Sequence, residues 1–228
     1  MKKFFLPFIL ALTLVGCEKN PIDRLTNPLN DGVVPGTSGV FVIYDDEPKT
    51  GGGVAFIPGG ENQNIDFSDR SGPHDGKKDL RFIWNGGDVT NSTTTETEHL
   101  FAGFMLMAID DVTKLDSSVG RDLRTPGYTK LTFWARGVLS ENTTFRVEGP
   151  GYGTGGITPV RLDIPDVSNG IPPLSAEWTF YSLNIPSSND FKNVKIFVIV
   201  SLQYSQPPRT TANGGGGVIY LDDIRYSQ

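Results

Sequence analysis

Apolar and polar residues alternate with a period of two through much of this chain, and no segment sustains a period of 3.6. Residues 129–136 alternate most cleanly, with Leu131, Phe133 and Ala135 on one face and Lys130, Thr132, Trp134 and Arg136 on the other. Residues 143–148 set Phe145 and Val147 against Thr144, Arg146 and Glu148, and residues 160–164 set Val160, Leu162 and Ile164 against Arg161 and Asp163. In residues 80–84, Leu80, Phe82 and Trp84 share one face. Residues 100–109 are apolar on both faces, as a central buried strand requires. Further strands are predicted over 40–44, 53–57, 178–185, 194–202 and 218–226, with Gly, Pro, Asn and Asp clusters between them. The pattern predicts an all-β sandwich of about ten strands, with one short helical turn near 110–115. Residues 85–99, 149–156 and 203–217 read as exposed loops.

The N-terminus breaks this pattern. Lys2 and Lys3 precede an apolar run over 4–15, interrupted only by Pro7 and Thr13 and closed by Gly16. Such a run is a secretory leader. It is too short for a hydrocarbon core, which needs about 20 residues. Leu14-Val15-Gly16-Cys17 resembles a bacterial lipobox. That resemblance implies cleavage after residue 16 and acylation of Cys17, whose thiol forms the thioether to lipid. Cys17 is the only cysteine, and a lone thiol in an oxidising compartment is otherwise a liability. Acyl chains contribute about 0.8 kcal/mol per buried methylene, so several anchor a protein firmly. The expected organisation is a signal peptide over 1–16, an acylated cysteine and flexible tether over 17–39, and one domain over 40–228. Pro21, Pro28, Pro35, Gly32, Gly36 and Gly39 suit a tether, although Ile22 and Leu25 could instead dock on the domain. The expected location is the cell envelope or outer membrane, through the lipid on Cys17.

Charge narrows the partners. The formal net charge is −6, and loss of Lys2 and Lys3 with the leader takes it to −8. An acidic chain is a poor match for nucleic acid or for anionic lipid headgroups.

Four segments then fit one family. Val42-Ile43-Tyr44-Asp45-Asp46 resembles the opening strand of galactose-binding-like jelly-roll domains. The turn from Ser71 through Gly72-Pro73-His74-Asp75-Gly76-Lys77-Lys78 to Asp79-Leu80 is similar to their turn into the next core strand. The segment from Pro126 to Gly137 is similar to their central strand, and Val218-Ile219-Tyr220-Leu221-Asp222-Asp223-Ile224 to their closing one. The resemblance spans residues 40–228 and implies a jelly roll. Many carbohydrate-binding modules belong to this group. Other members bind protein or support a neighbouring enzyme domain. The resemblance also implies a structural calcium near the first and last strands.

The residues make their own case for calcium, which takes six to eight oxygens from carboxylates and carbonyls. Asp45, Asp46 and Glu47 crowd one strand end, and Asp222 and Asp223 lie on the closing strand. If these strands pair, Asp46, Asp222 and Asp45, with a carbonyl from the 76–78 turn at Lys78, could form the shell. The alternative is two solvated acidic turns. Two distant histidines and one lipidated cysteine make no zinc site.

If Leu131, Phe133 and Ala135 face the core, then Thr132, Trp134 and Arg136 form an outer face, with Thr144, Arg146 and Glu148 expected beside them. Tyr152 and His99 could reach in from loops. An aromatic ring stacks on the C–H face of a sugar while charged side chains bond its hydroxyls. The alternative is that a loop covers Trp134. Neither His74 nor His99 sits in a recognisable nucleophile setting. No Glu-x-Asp-x-x-Glu run of the kind carried by β-sandwich glycosidases is present. The sequence therefore predicts a non-catalytic, lipid-anchored envelope protein that binds a polysaccharide or other glycan. A structural or protein-interaction lipoprotein without a sugar site is the second reading, and a glycan-active enzyme the third.

Overall fold

The alternating segments form strands that bury their apolar faces against each other. The structure, a computed structural model, describes residues 39–49, 53–57, 63–88, 98–108, 120–124, 126–151, 159–186, 189–206 and 213–228. The predicted leader, Cys17, nearly all of the tether, the helical turn near 110–115 and Tyr152 lie outside these residues.

In chain order the strands are β1 (Val40–Asp45), β2 (Glu47–Pro48), β3 (Val54–Phe56), β4 (Gln63–Asp69), β5 (Asp79–Trp84), β6 (Gly87–Asp88) and β7 (Glu98–Met107). They continue with β8 (Lys130–Leu139), β9 (Thr143–Gly149), β10 (Val160–Ile164), β11 (Thr179–Asn184), β12 (Ile196–Gln206), β13 (Asn213–Gly214) and β14 (Gly217–Ser227). Sheet A is seven-stranded and runs β11-β8-β14-β1-β2, with β5 also on β14 and β4 on β5. Sheet B is five-stranded and runs β10-β9-β12-β7-β3. Every pairing within them is antiparallel. The fold is an all-β sandwich, as the alternation requires.

The inner faces interdigitate through aromatic rings. Phe133 of β8 meets Phe145 of β9 edge-on, with centroids 6.3 Å apart and planes at 77°. Phe82 meets Phe104 at 5.3 Å, and Phe41 meets Phe197 at 5.0 Å. All six rings are buried, and each contributes about 2–3 kcal/mol through the area it removes from water.

The first and last strands pair. β14 changes partner midway. Its first half pairs with β5 and its second half with β1, and a register shift falls between Asp222 and Arg225. Asp223 takes a left-handed backbone there, at φ 52, and Asp46, at the end of β1, does the same at φ 57. The loop over residues 70–78 lies at this split.

The structure also departs from the predicted elements. β4 was not among them, because Gln63-Asn64-Ile65-Asp66-Phe67-Ser68-Asp69 has only two apolar side chains; it pairs at the outer end of sheet A through its backbone. Part of each expected loop over 85–99 and 203–217 is strand: β7 starts at Glu98, β12 runs to Gln206, and β6 pairs with β13. Backbone pairing there needs no apolar face.

Candidate functional site

The outward residues of β8 and β9 were expected side by side. The structure separates them. β8 lies in sheet A and β9 in sheet B. Because Phe133 and Phe145 meet across the core, their outward neighbours point in opposite directions. Thr132, Trp134 and Arg136 lie on the outer face of sheet A. Thr144, Arg146 and Glu148 lie on the outer face of sheet B. The single predicted face is therefore two faces on opposite sides of the molecule. Register within one strand was legible in the sequence, but the assignment of strands to sheets was not.

On sheet A, the 70–78 loop folds over part of the face. His74 stacks on Trp134, with ring centroids 3.7 Å apart and planes 17° from parallel. Phe180 of β11, directly opposite Trp134 in register, is tilted against it at 5.4 Å. The indole N–H of Trp178 donates to the Gly72 carbonyl at 3.0 Å. Arg136 lies 5.0 Å from the Trp178 ring centre and 4.2 Å from that of Tyr220, and its Nη2 is 3.6 Å from Oδ2 of Asp79. Arg136 is thus committed to internal packing rather than held out for ligand. Asp79 is 0% exposed. Burial, followed by the charge of Asp69 opposite it in the β4–β5 register, pushes its carboxyl up to about 6, which Arg136 only partly counters. Burial also acts on Asp69, but hydrogen bonds from Ser71 and the charge of Arg81, 3.1 Å away, outweigh it and hold that carboxyl below its ordinary value.

Two of the acids expected in a calcium shell, Asp46 and Asp222, accept backbone N–H groups of this loop. Oδ1 of Asp46 accepts the N–H groups of Lys77 and Lys78 at 2.6 and 2.7 Å, which lowers its pKa. Oδ2 of Asp222 accepts those of His74 and Asp75 at 3.0 and 3.2 Å, and Oδ1 accepts the N–H of Asp223 at 2.8 Å. Burial still raises Asp222 despite these bonds. Burial also raises Asp45, with the charge of Asp223 adding to it. Lys78 turns its N–H toward Asp46, and among the described residues no three acidic, histidine or cysteine side chains gather closely enough to hold an ion. The left-handed backbone of Asp46 and Asp223 and the two sets of loop amides could not be read from the sequence.

On sheet B the outer face is strand-borne. Phe101 of β7 is 38% exposed. Gln203 of β12 lies directly opposite it, and Thr144 of β9 lies opposite Gln203. The next row joins Gly103, Ser201, Arg146 and Asp163 across four strands. Nε of Arg146 donates to Oδ1 of Asp163 at 2.6 Å, and Arg161 holds Oδ2. Burial raises Asp163, but hydrogen bonds from Arg161 and Arg146 outweigh it and leave the carboxyl below its ordinary value. Glu148 stands opposite Arg161 and Ile199 in the following row. His99 is placed on β7 opposite Ser205. Phe101 and Gln203 were not among the predicted site residues. Their signal lay in the outward half of strands that read as apolar on both faces or were cut short at residue 202.

No protein-family model matches the chain, and no curated protein matches it. Among solved structures, the chain is similar to the family 11 carbohydrate-binding module of the cellulosomal cellulase Lic26A-Cel5E of Clostridium thermocellum. Identity is 12%, over 83% of this chain and 94% of that one, with a TM-score of 0.43. It is similar to the family 30 carbohydrate-binding module of the cellulosomal cellulase Cel9D-Cel44B of the same organism, at 15% identity over 83% and 97% and a TM-score of 0.45. It is also similar to an exo-beta-agarase, at 12% identity over 83% of this chain and 25% of that one and a TM-score of 0.42.

Proposed function

We propose that the protein is a non-catalytic carbohydrate-binding domain that takes glycan on the outer face of sheet B. The observation that carries this is the row Phe101, Gln203 and Thr144 beside the ion-paired row of Arg146 and Asp163. An exposed ring offers a stacking surface for a pyranose. An amide, a hydroxyl and a fixed guanidinium–carboxylate pair offer hydrogen bonds to its hydroxyls. All of these groups stand on strands, so little ordering is needed on binding. A binding role also fits Asp79, whose raised carboxyl is fully buried beside Arg136 and out of a substrate's reach. Anchoring through an acylated Cys17 belongs to the same proposal and is supported by Leu14-Val15-Gly16-Cys17.

A glycan array on the full chain tests the reading. Binding that is weakened both in Phe101→Ala and in Arg146→Met supports it. A folded protein that binds no glycan overturns it in favour of a protein-interaction role, the reading favoured by the covered ring of Trp134. Anchoring is tested by detergent phase partition, where Cys17→Ser is expected to move the protein from the detergent phase to the aqueous one.

A further inference from the structure

The edge of sheet A carries a second set of outward groups that the sheet B reading does not use. Trp134 and Phe180 are direct cross-strand partners, and Phe180, on the edge strand of the sheet, is 52% exposed. With His74 stacked on Trp134, the three rings form a ridge that needs no rearrangement to present the Phe180 side. Two residues further along the same strands, Ser182 stands opposite Thr132. Two further still, Asn184 stands opposite Lys130. A strand advances about 7 Å over two residues, so these pairs follow the ridge at roughly the width of one pyranose ring. Ser182, Asn184 and Lys130 are exposed, and Lys130 pairs with no acid among the described residues. Thr132 is short and buried, so the pair with Ser182 makes a low floor between the ridge and the amide and ammonium groups.

We infer that this ridge and floor form a second saccharide site, taking a pyranose unit of a glycan chain. The C–H face of the sugar leans on the exposed ring of Phe180, which Trp134 and His74 back from behind. Its hydroxyls meet the Ser182 hydroxyl, the Asn184 amide and the Lys130 ammonium. The outer faces of the two sheets point away from each other, so a protein with both sites holds two glycan chains at once and bridges them. The site stands on its own residues; the bridging rests on the sheet B reading.

The test is calorimetric titration of the full chain with cellohexaose, agarohexaose and a galacturonic acid hexamer, paired with turbidity of the matching polysaccharide. Wild type is expected to bind two molecules of at least one probe and to aggregate that polysaccharide. Phe180→Ala is expected to bind one and to lose aggregation, with affinity at the altered site at least about tenfold weaker; Phe180→Tyr is expected to restore both. Phe101→Ala is expected to remove the other site. Phe180 is exposed, so an unchanged melting temperature separates loss of the site from loss of the fold. One wild-type site that vanishes in Phe101→Ala and persists in Phe180→Ala overturns the second site and leaves the sheet B reading standing. One site that vanishes only in Phe180→Ala supports the ridge site and overturns the sheet B reading. No binding of any probe by folded protein overturns both.

Discussion

Asp69 and Asp79 face each other across the β4–β5 pair, at the two ends of the loop that covers Trp134. The two carboxyls are driven apart, Asp79 up to about 6 and Asp69 below its ordinary value. An unfolded chain loses the Asp79 proton near pH 4, whereas the folded chain keeps it until about 6. Across that window the unfolded state binds fewer protons, so this group makes stability fall as pH rises. The contribution is complete below about pH 4, lost above about pH 6, and worth up to about 3 kcal/mol. Urea melts of wild type and Asp79→Asn at pH 4.5 and 7 check it. The variant, which mimics the protonated acid, is expected to be the more stable of the two at pH 7, with the gap closing at pH 4.5.

Removing the guanidinium opposite Asp79 leaves a fully buried charge. Arg136→Ala is expected to cost about 3–5 kcal/mol at pH 7. Part of that loss comes from the Trp178 and Tyr220 rings against which Arg136 packs. In the Asp79→Asn background the cost is expected to shrink, and a double-mutant cycle by denaturant melts measures the coupling. Equal costs in both backgrounds would assign the role of Arg136 to ring packing alone.

The loop over Trp134 is held by two carboxylates in different settings. Asp222 is buried and accepts two loop amides, so Asp222→Ala is expected to destabilise by about 2–4 kcal/mol. Asp46→Ala loses two amide bonds and also strains a left-handed backbone, at about 1–2 kcal/mol. Asp46→Asn keeps both an acceptor and a side chain suited to that backbone and is expected to be milder. Near-ultraviolet circular dichroism reports the Trp134–His74 stack, which is expected to weaken in the two alanine variants.

Because Asp46 and Asp222 already hold backbone N–H groups, calcium is expected to leave the melting temperature of the full chain where a chelator leaves it. A rise with calcium would show that these carboxylates exchange their amides for a cation.

Gly103 sits at a close approach of β7 and β12. A methyl group there would lie 2.3 Å from the Val200 carbonyl and 2.8 Å from the Ile57 side chain. Gly103→Ala is expected to cost about 1–3 kcal/mol by overpacking. A melt checks this, together with the glycan binding proposed for sheet B, which the shifted strands would also impair.

The alternation in residues 129–136, 143–148 and 160–164 was enough to fix strands, their buried faces and a sandwich. Period two forces every second side chain inward whatever the partner strand is. The same local rule sent Trp134 and Arg146 outward but could not say that they leave on opposite sides, because sheet membership is set by pairings over long sequence distances. The chain itself placed the acidic residues at the ends of β1 and β14. Only the tertiary structure decided that Asp46 and Asp222 would grip loop amides, that His74 would lie on Trp134, and that Phe101 and Phe180, among the described residues, would be left facing water. Each of those outcomes depends on where one segment's backbone arrives over another's side chain, and hydrophobic patterning carries no information about that.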